Sequence, residues 1–154
     1  MHLLDETVRP EWIDYNGHLY DGYYAVIFAK AVDEFLGRVC LTAAVREATR
    51  HTIYTMETHV RFLWEVKLGT PVSVTCQVLD LDAKRVRIFL SMYDKVRNLV
   101  VATSEQLLMS IDQTEQPHAA PWLPQSAAIL EGLLKEHATL PMPKDAGRSI
   151  GIKR

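Results

Sequence analysis

Hydrophobic positions along this chain change period after the first 50 residues. From Tyr20 to about Arg38, apolar residues recur at Tyr20, Tyr24, Ile27, Phe28, Ala31, Val32 and Phe35. That i, i+4, i+7, i+8 spacing predicts a helix with one wide buried face. Asp21 at its start complements the helix dipole, and Gly37 near its end fits a stop. A helical or irregular connection follows through Arg50. The period then becomes two: in IYTMETHVRFLW, Tyr54, Met56, Thr58, Val60, Phe62 and Trp64 share one face, while Thr55, Glu57, His59 and Arg61 share the other. A half-buried strand is predicted.

Three further runs repeat the alternation. Val72, Val74, Cys76 and Val78 form one apolar face, Val86, Ile88, Leu90 and Met92 another, and LVVATSEQLLMSI supplies a long final strand. VKLGTP, LDAK and DKVRN read as the turns between them. Strands joined in sequence by tight turns predict an antiparallel meander, and a helix followed by sheet predicts an α+β domain. The helix is apolar on most sides and the meander has one apolar face, so the sheet is expected to wrap around the helix. Residues 3–9 read as a short extended piece. Beyond Asp112 a Pro-rich connector leads to a short helix from Ser126 to His137, with Ile129, Leu130, Leu133 and Leu134 on its stripe. The tail PMPKDAGRSIGIKR has no period and should be extended or mobile unless something docks it. One domain over residues 1–154 is expected, with a core at about 3–112 and the connector, helix and tail at 113–154.

Composition narrows the function classes. At 154 residues and 48% hydrophobic content, the chain can bury one sizeable core without staples. A net charge of -2 with interspersed signs offers no stripe for nucleic acid. No apolar run is long enough to span a bilayer, and MHLLDETVRP carries acids where a secretory leader needs an apolar run, so a soluble cytoplasmic protein is expected. Cys40 and Cys76 form no C-x-x-C pair and read as buried thiols. The histidines show no ligand spacing and no Gly-rich dinucleotide turn is present, so neither a metal nor a redox cofactor is expected.

The candidate chemistry sits before the long helix, in PEWIDYNGHLY. Taken alone, Asp14-Tyr15-Asn16-Gly17 is more often a turn and cap than a catalytic centre. The Asp14-x-x-Gly17-His18 pattern, followed by a helix and antiparallel strands, resembles hotdog-fold acyl-CoA thioesterases of the 4-hydroxybenzoyl-CoA type. Together with YTMETH at 54–59 and AGRSIG in the tail, it is most similar to the betainyl-CoA thioesterases of carnitine degradation, which occur alone or fused to carnitine dehydrogenase. The resemblance implies a hotdog fold, thioester hydrolysis and a homodimer or dimer of dimers. It also makes association with a carnitine dehydrogenase plausible, with coenzyme A present only as part of the substrate. Alternatives are a thioesterase for another small or aromatic acyl-CoA, a non-catalytic acyl-CoA-binding module and, ranked lower, a hydratase.

Thioester hydrolysis needs a carboxylate that attacks the carbonyl or activates water, and donors for the oxygen where charge develops. The resemblance assigns Asp14 as nucleophile or general base. Gly17 lets the backbone approach the ligand, and the first N–H groups of the helix are candidate donors. His18 is a second candidate for orienting substrate, and Asn16 belongs to the same binding turn. Where many relatives have asparagines after the Gly-His pair, this chain has Leu19-Tyr20-Asp21. Glu57 and His59 are candidates for completing the site across a dimer interface, Glu57 by positioning water or the acyl group; Arg61 reads as a surface or subunit-facing charge. A quaternary ammonium is best held by aromatic faces and carboxylates, which points to Trp12, Tyr15 and Tyr20. Candidate contacts for the coenzyme phosphates are Lys84, Arg85, Arg97, Arg148, Lys153 and Arg154.

Overall fold

The computed structural model describes residues 1–152, so Lys153 and Arg154 lie outside the described residues. In chain order the elements are β1 (His2–Thr7), a single 3-10 turn (Pro10–Trp12), α1 (Asp21–Arg38), α2 (Ala43–Thr49), β2 (His51–Phe62), β3 (Pro71–Leu81), β4 (Arg85–Asp94), β5 (Leu99–Asp112), β6 (His118–Ala119) and α3 (Pro124–His137). Strands β1 to β5 form an antiparallel sheet in the order β1-β3-β4-β5-β2, and β6 adds to β5.

The predicted α+β architecture holds, with one change of neighbour. β3, β4 and β5 form the meander, but β2 lies beside β5 rather than beside β3. The long connection after Phe62 carries the chain back across the sheet, and β1 takes the place next to β3. Tight turns encode local hairpins; they do not encode which edge a preceding strand occupies.

Strand alternation aims Val72, Val74, Cys76 and Val78 from β3, and Val86, Ile88, Leu90 and Met92 from β4, into one core. That core also contains the apolar stripe of α1, where Ile27, Ala31 and Phe35 are fully buried. Each large side chain so buried contributes roughly 1.5–3 kcal/mol from removal of apolar area. The helix thereby becomes the axis of the sheet, and its first turn is fixed at one end of the fold.

β1 covers β3 only as far as Met1, whose carbonyl accepts the Cys76 N–H at 2.7 Å. Beyond that point α3 continues the cover. His137, 2% exposed, accepts the Val78 N–H at Nδ1 over 2.8 Å. Gln77 donates to the carbonyls of His137 and Pro141. From there the tail crosses to β2, where Asp145 pairs with Arg61, and Gly147 donates its N–H to Glu105 on β5 over 2.6 Å. The unpatterned tail is therefore docked through polar contacts, which leave no hydrophobic period to read. No helix among the described residues is long and apolar enough to cross a membrane.

Candidate active site

The sequence from Ile13 to Leu19 closes on itself. Ile13 and Leu19 pair as an isolated bridge, Asp14 donates its N–H to the His18 carbonyl over 2.8 Å, and Gly17 donates to the Asp14 carbonyl over 3.0 Å. The reversal requires φ of +79° at Gly17, a left-handed conformation that a Cβ disfavours. Inside it, Asp14 Oδ1 accepts the N–H groups of Asn16 at 2.8 Å and His18 at 3.0 Å. The His18 N–H is the largest influence on this carboxyl; with Asn16 it outweighs partial desolvation and holds the pKa below the ordinary aspartate value. Oδ2 accepts no hydrogen bond among the described residues. The turn is itself anchored, because Leu19 donates to the Val66 carbonyl at 2.7 Å and His18 bridges to Lys67.

Asp14 opens onto a cleft of about 560 Å³ between this turn, the start of α1 and the end of β2. Tyr20 and Asp21 enter it from the helix, while Phe62, Trp64 and Glu65 enter from the strand and its continuation. Tyr24 forms an inner wall. It lies edge-on to Phe62 at 5.1 Å, and burial pushes its phenol up to about 12. Glu65 reaches His18, with Oε2 3.2 Å from Nε2. Four aromatic side chains around the cleft are open to solvent: Tyr15 is 94% exposed, Tyr20 51%, Phe62 54% and Trp64 59%. The described lining contains the carboxylates of Asp14, Asp21 and Glu65, with His18 as its one basic side chain and no lysine or arginine. Rings with exposed faces among carboxylates form an environment that favours a cation.

The helix start is less available as a donor than its sequence position implied. Asp21 Oδ1 accepts the Gly22 N–H at 2.8 Å, and the Tyr23 N–H bonds to the Tyr20 carbonyl at 2.9 Å. Those two groups already have partners.

The structure brings Asp14, Tyr15, His18 and Tyr20 together in the cleft; Asn16 and Gly17 shape the turn beside it. It turns Trp12 elsewhere. That ring is 5% exposed, stacks on Tyr23 at 5.7 Å and carries the Arg9 and Lys30 cations at 4.9 and 5.0 Å, so its faces are occupied from within the chain.

Glu57 and His59 are also separated from Asp14. Between Thr55 and Glu57 the register with β5 shifts, making Met56 a bulge. Directly opposed residues share a sheet face, so Thr58 opposite Gln106 and Val60 opposite Ser104 face the helix side. Glu57 opposite Leu107 and His59 opposite Glu105 face outward, near Arg148 and Ser149 of the tail. The extra residue changes the phase of the strand before it, so Tyr54, opposite Met109, faces outward with Glu57 and His59, which a constant period of two could not anticipate. Ile53 and Val60 are partly buried against the core, but Tyr54, Met56 and Phe62 of β2 are 41%, 50% and 54% exposed.

Among the phosphate candidates, Lys84 donates to the Ala119 carbonyl and Arg85 pairs with Asp82 in the β3–β4 turn. Arg148 lies near Asp145 on the outer face. Among the described candidates only Arg97 adjoins the cleft region, bonding the Glu65 carbonyl at 2.6 Å and Asp94 at 2.6 Å. Phe62, Trp64, Asp21 and Glu65 are cleft residues that sequence reading missed. An aromatic-acid string at 62–65, beginning at the last residue of β2, was the available signal for the cleft lining, though not for the Glu65–His18 contact.

Residues 8–148 match the family model of the Thioesterase-like superfamily. A betainyl-CoA thioesterase of Pseudomonas aeruginosa is 39% identical over 96% of this chain and 92% of its own. An L-carnitine dehydrogenase/betainyl-CoA thioesterase of Rhizobium meliloti is 36% identical over 100% of this chain, which spans only 31% of that longer protein. A Staphylococcus aureus protein solved in complex with CoA superposes with a TM-score of 0.89 at 29% identity, covering 99% of this chain and 96% of the other. With nearly its whole length inside the family match and a relative 39% identical over 96% of it, the chain belongs to the thioesterase-like superfamily.

Proposed function

We propose that the chain hydrolyses a short cationic acyl-CoA, and that betainyl-CoA, giving betaine and coenzyme A, is its substrate. The observation that carries this reading is the cleft itself: Tyr15, Tyr20, Phe62 and Trp64 surround the Asp14, Asp21 and Glu65 carboxylates, with no lysine or arginine in the described lining. A trimethylammonium group has no N–H to donate, so aromatic faces and diffuse negative potential are what can hold it. The names of the relatives point to the same acyl group.

In the reaction, the carbonyl carbon gains an oxygen, the C–S bond breaks, and coenzyme A leaves as the thiol once its sulfur is protonated. Asp14 is the group for the first step. Its Oδ1 is held by two N–H donors while Oδ2 is open, and its lowered pKa keeps it anionic. An anion of low basicity is better suited to direct attack through Oδ2 than to removing a proton from water. Attack forms an acyl–aspartyl anhydride, which water then cleaves to restore the carboxylate.

A homodimer completes this reading. β2 pairs with β5 along one edge and has no partner strand along the other among the described residues, while Tyr54, Met56, Phe62 and Trp64 stand exposed. A bare 12-residue edge of this kind invites another strand, and a second copy's β2 is the occupant proposed. Phe62 and Trp64 belong both to that edge region and to the cleft. The dimer, alone or paired into a dimer of dimers, works in the cytoplasm and associates with a carnitine dehydrogenase, as the fused relatives favour.

The test compares betainyl-CoA with 3,3-dimethylbutanoyl-CoA, in which a carbon replaces the charged nitrogen at equal shape. A preference of about tenfold in kcat/KM is expected for the charged ester. Equal rates, or faster turnover of the neutral ester, would overturn the assignment.

A further inference from the structure

A cleft that suits a cation is a poor place to expel a thiolate. Asp14, Asp21 and Glu65 line it, and the described lining has no lysine or arginine to oppose negative charge on sulfur. A departing sulfur there needs a proton as the C–S bond breaks. The lining holds one basic side chain that could supply it, His18.

The two ends of His18 have separate tasks. Its backbone N–H holds Asp14 Oδ1 at 3.0 Å, which leaves the imidazole free. That ring is 32% exposed and near enough to Asp14 for its charge to add to the influences that lower the carboxyl's pKa. Glu65 Oε2 lies 3.2 Å from Nε2 and occupies that side of the ring, whereas Nδ1 makes no hydrogen bond among the described residues and is not sealed from solvent. A carboxylate beside one ring nitrogen sets the orientation of the imidazole and decides which nitrogen is presented. Glu65 is itself fixed: its carbonyl accepts from Arg97, which Asp94, 2% exposed, holds at 2.6 Å. The Leu19 N–H on the Val66 carbonyl locks this segment to the Asp14 turn.

We propose that His18 is the general acid of the reaction, delivering a proton from Nδ1 to the coenzyme A sulfur, with Glu65 as the residue that positions its ring. The inference rests on the thioesterase reading and completes its proton balance. As Asp14 Oδ2 bonds to the acyl carbon, the C–S electron pair passes to sulfur, sulfur takes the His18 proton, and the thiol leaves beside a neutral imidazole. In the second half water adds to the acyl carbon of the anhydride and gives a proton back to Nδ1. The bond to Asp14 breaks with its electron pair, restoring the carboxylate, and the released acid loses its own proton to solvent.

The test compares the wild type with His18→Ala and His18→Asn on two esters, betainyl-CoA and the betaine thioester of para-nitrothiophenol, whose thiolate leaves without a proton. Both variants keep the backbone N–H at position 18 that holds Asp14. On betainyl-CoA kcat/KM is expected to fall by about a hundredfold, and on the activated ester by less than about tenfold. Because the two esters are compared within one preparation, the ratio does not depend on the fraction folded. Added imidazole is expected to restore thiol release from betainyl-CoA by His18→Ala, which it would not do if the ring served packing alone. Equal losses on the two esters without imidazole rescue would overturn the role of His18 while leaving the thioesterase reading intact. No thiol release from betainyl-CoA by the wild type would overturn both.

Discussion

The backbone N–H of His18 donates to Oδ1 of Asp14 at 3.0 Å, across a turn that also directs the His18 carbonyl to the Asp14 N–H at 2.8 Å. This reciprocal pair fixes the carboxylate and lowers its pKa together. The carboxylate form is therefore already present at pH values where an ordinary aspartate would be partly protonated. Any loss of kcat/KM that comes from protonating Asp14 should have its midpoint below the ordinary aspartate pKa of about 3.9. A pH–rate profile checks this, and an acid limb assignable to Asp14 with its midpoint above that value would count against the geometry.

Gly17→Ala separates turn geometry from chemistry. No atom lies within 4 Å of a Cβ added there, so the strain comes from the φ of +79° alone. A left-handed alanine costs about 1–2 kcal/mol. A thermal melt should show that modest loss, while thiol release falls by a larger factor as the His18 and Asn16 donors move away from Asp14. A melt and an activity that both remain at wild-type values would mean the turn is not needed for function.

Trp64→Ala tests the cation-binding wall. Trp64 is 59% exposed in the cleft, so truncation has little packing to remove. Loss of a cation–π contact is worth about 0.5–2 kcal/mol. KM for betainyl-CoA should therefore rise several-fold, with a smaller change for the neutral isostere. Equal changes for both esters would assign Trp64 to general packing.

His137 should make stability sensitive to acid. Burial lowers its pKa, and only the neutral ring can accept the Val78 N–H at Nδ1. The unfolded chain takes up the proton first, so this contribution is complete above the unfolded histidine pKa of about 6.5 and is lost as pH falls through the lower folded value. Melting temperatures should drop between neutral and mildly acidic pH. His137→Asn keeps an acceptor without a titration and should show a shallower drop. Parallel curves would remove His137 as a source of the pH dependence.

Features set by local spacing were the most legible in the sequence. The 3.6-residue period from Tyr20 to Arg38 became α1 at Asp21–Arg38, and the Asn16-Gly17 pair marked the turn that holds Asp14. Long-range features were not legible. The placement of β2 beside β5 depends on a crossover that leaves no periodic trace. The Met56 bulge turned Tyr54 to the outer face, opposite Met109, while Glu57 and His59 kept the outward face that the alternation gave them. Trp12 was read as a loop aromatic free to bind substrate, but Arg9, Lys30 and Tyr23 occupy its ring. Glu65 follows the end of β2, where alternation stops, so its contact with His18 had no sequence signal.

Asp14→Asn tests the central claim most directly. The asparagine Oδ1 can still accept the Asn16 and His18 N–H groups, so the turn should persist while the anionic Oδ2 is replaced by an amide. Thiol release from betainyl-CoA should fall on the order of a hundredfold to ten-thousandfold, the usual scale for a positioned acid–base or nucleophilic carboxylate, with the melting temperature and coenzyme A affinity nearly unchanged. Wild-type rates of thiol release from a correctly folded Asp14→Asn protein would contradict the assignment.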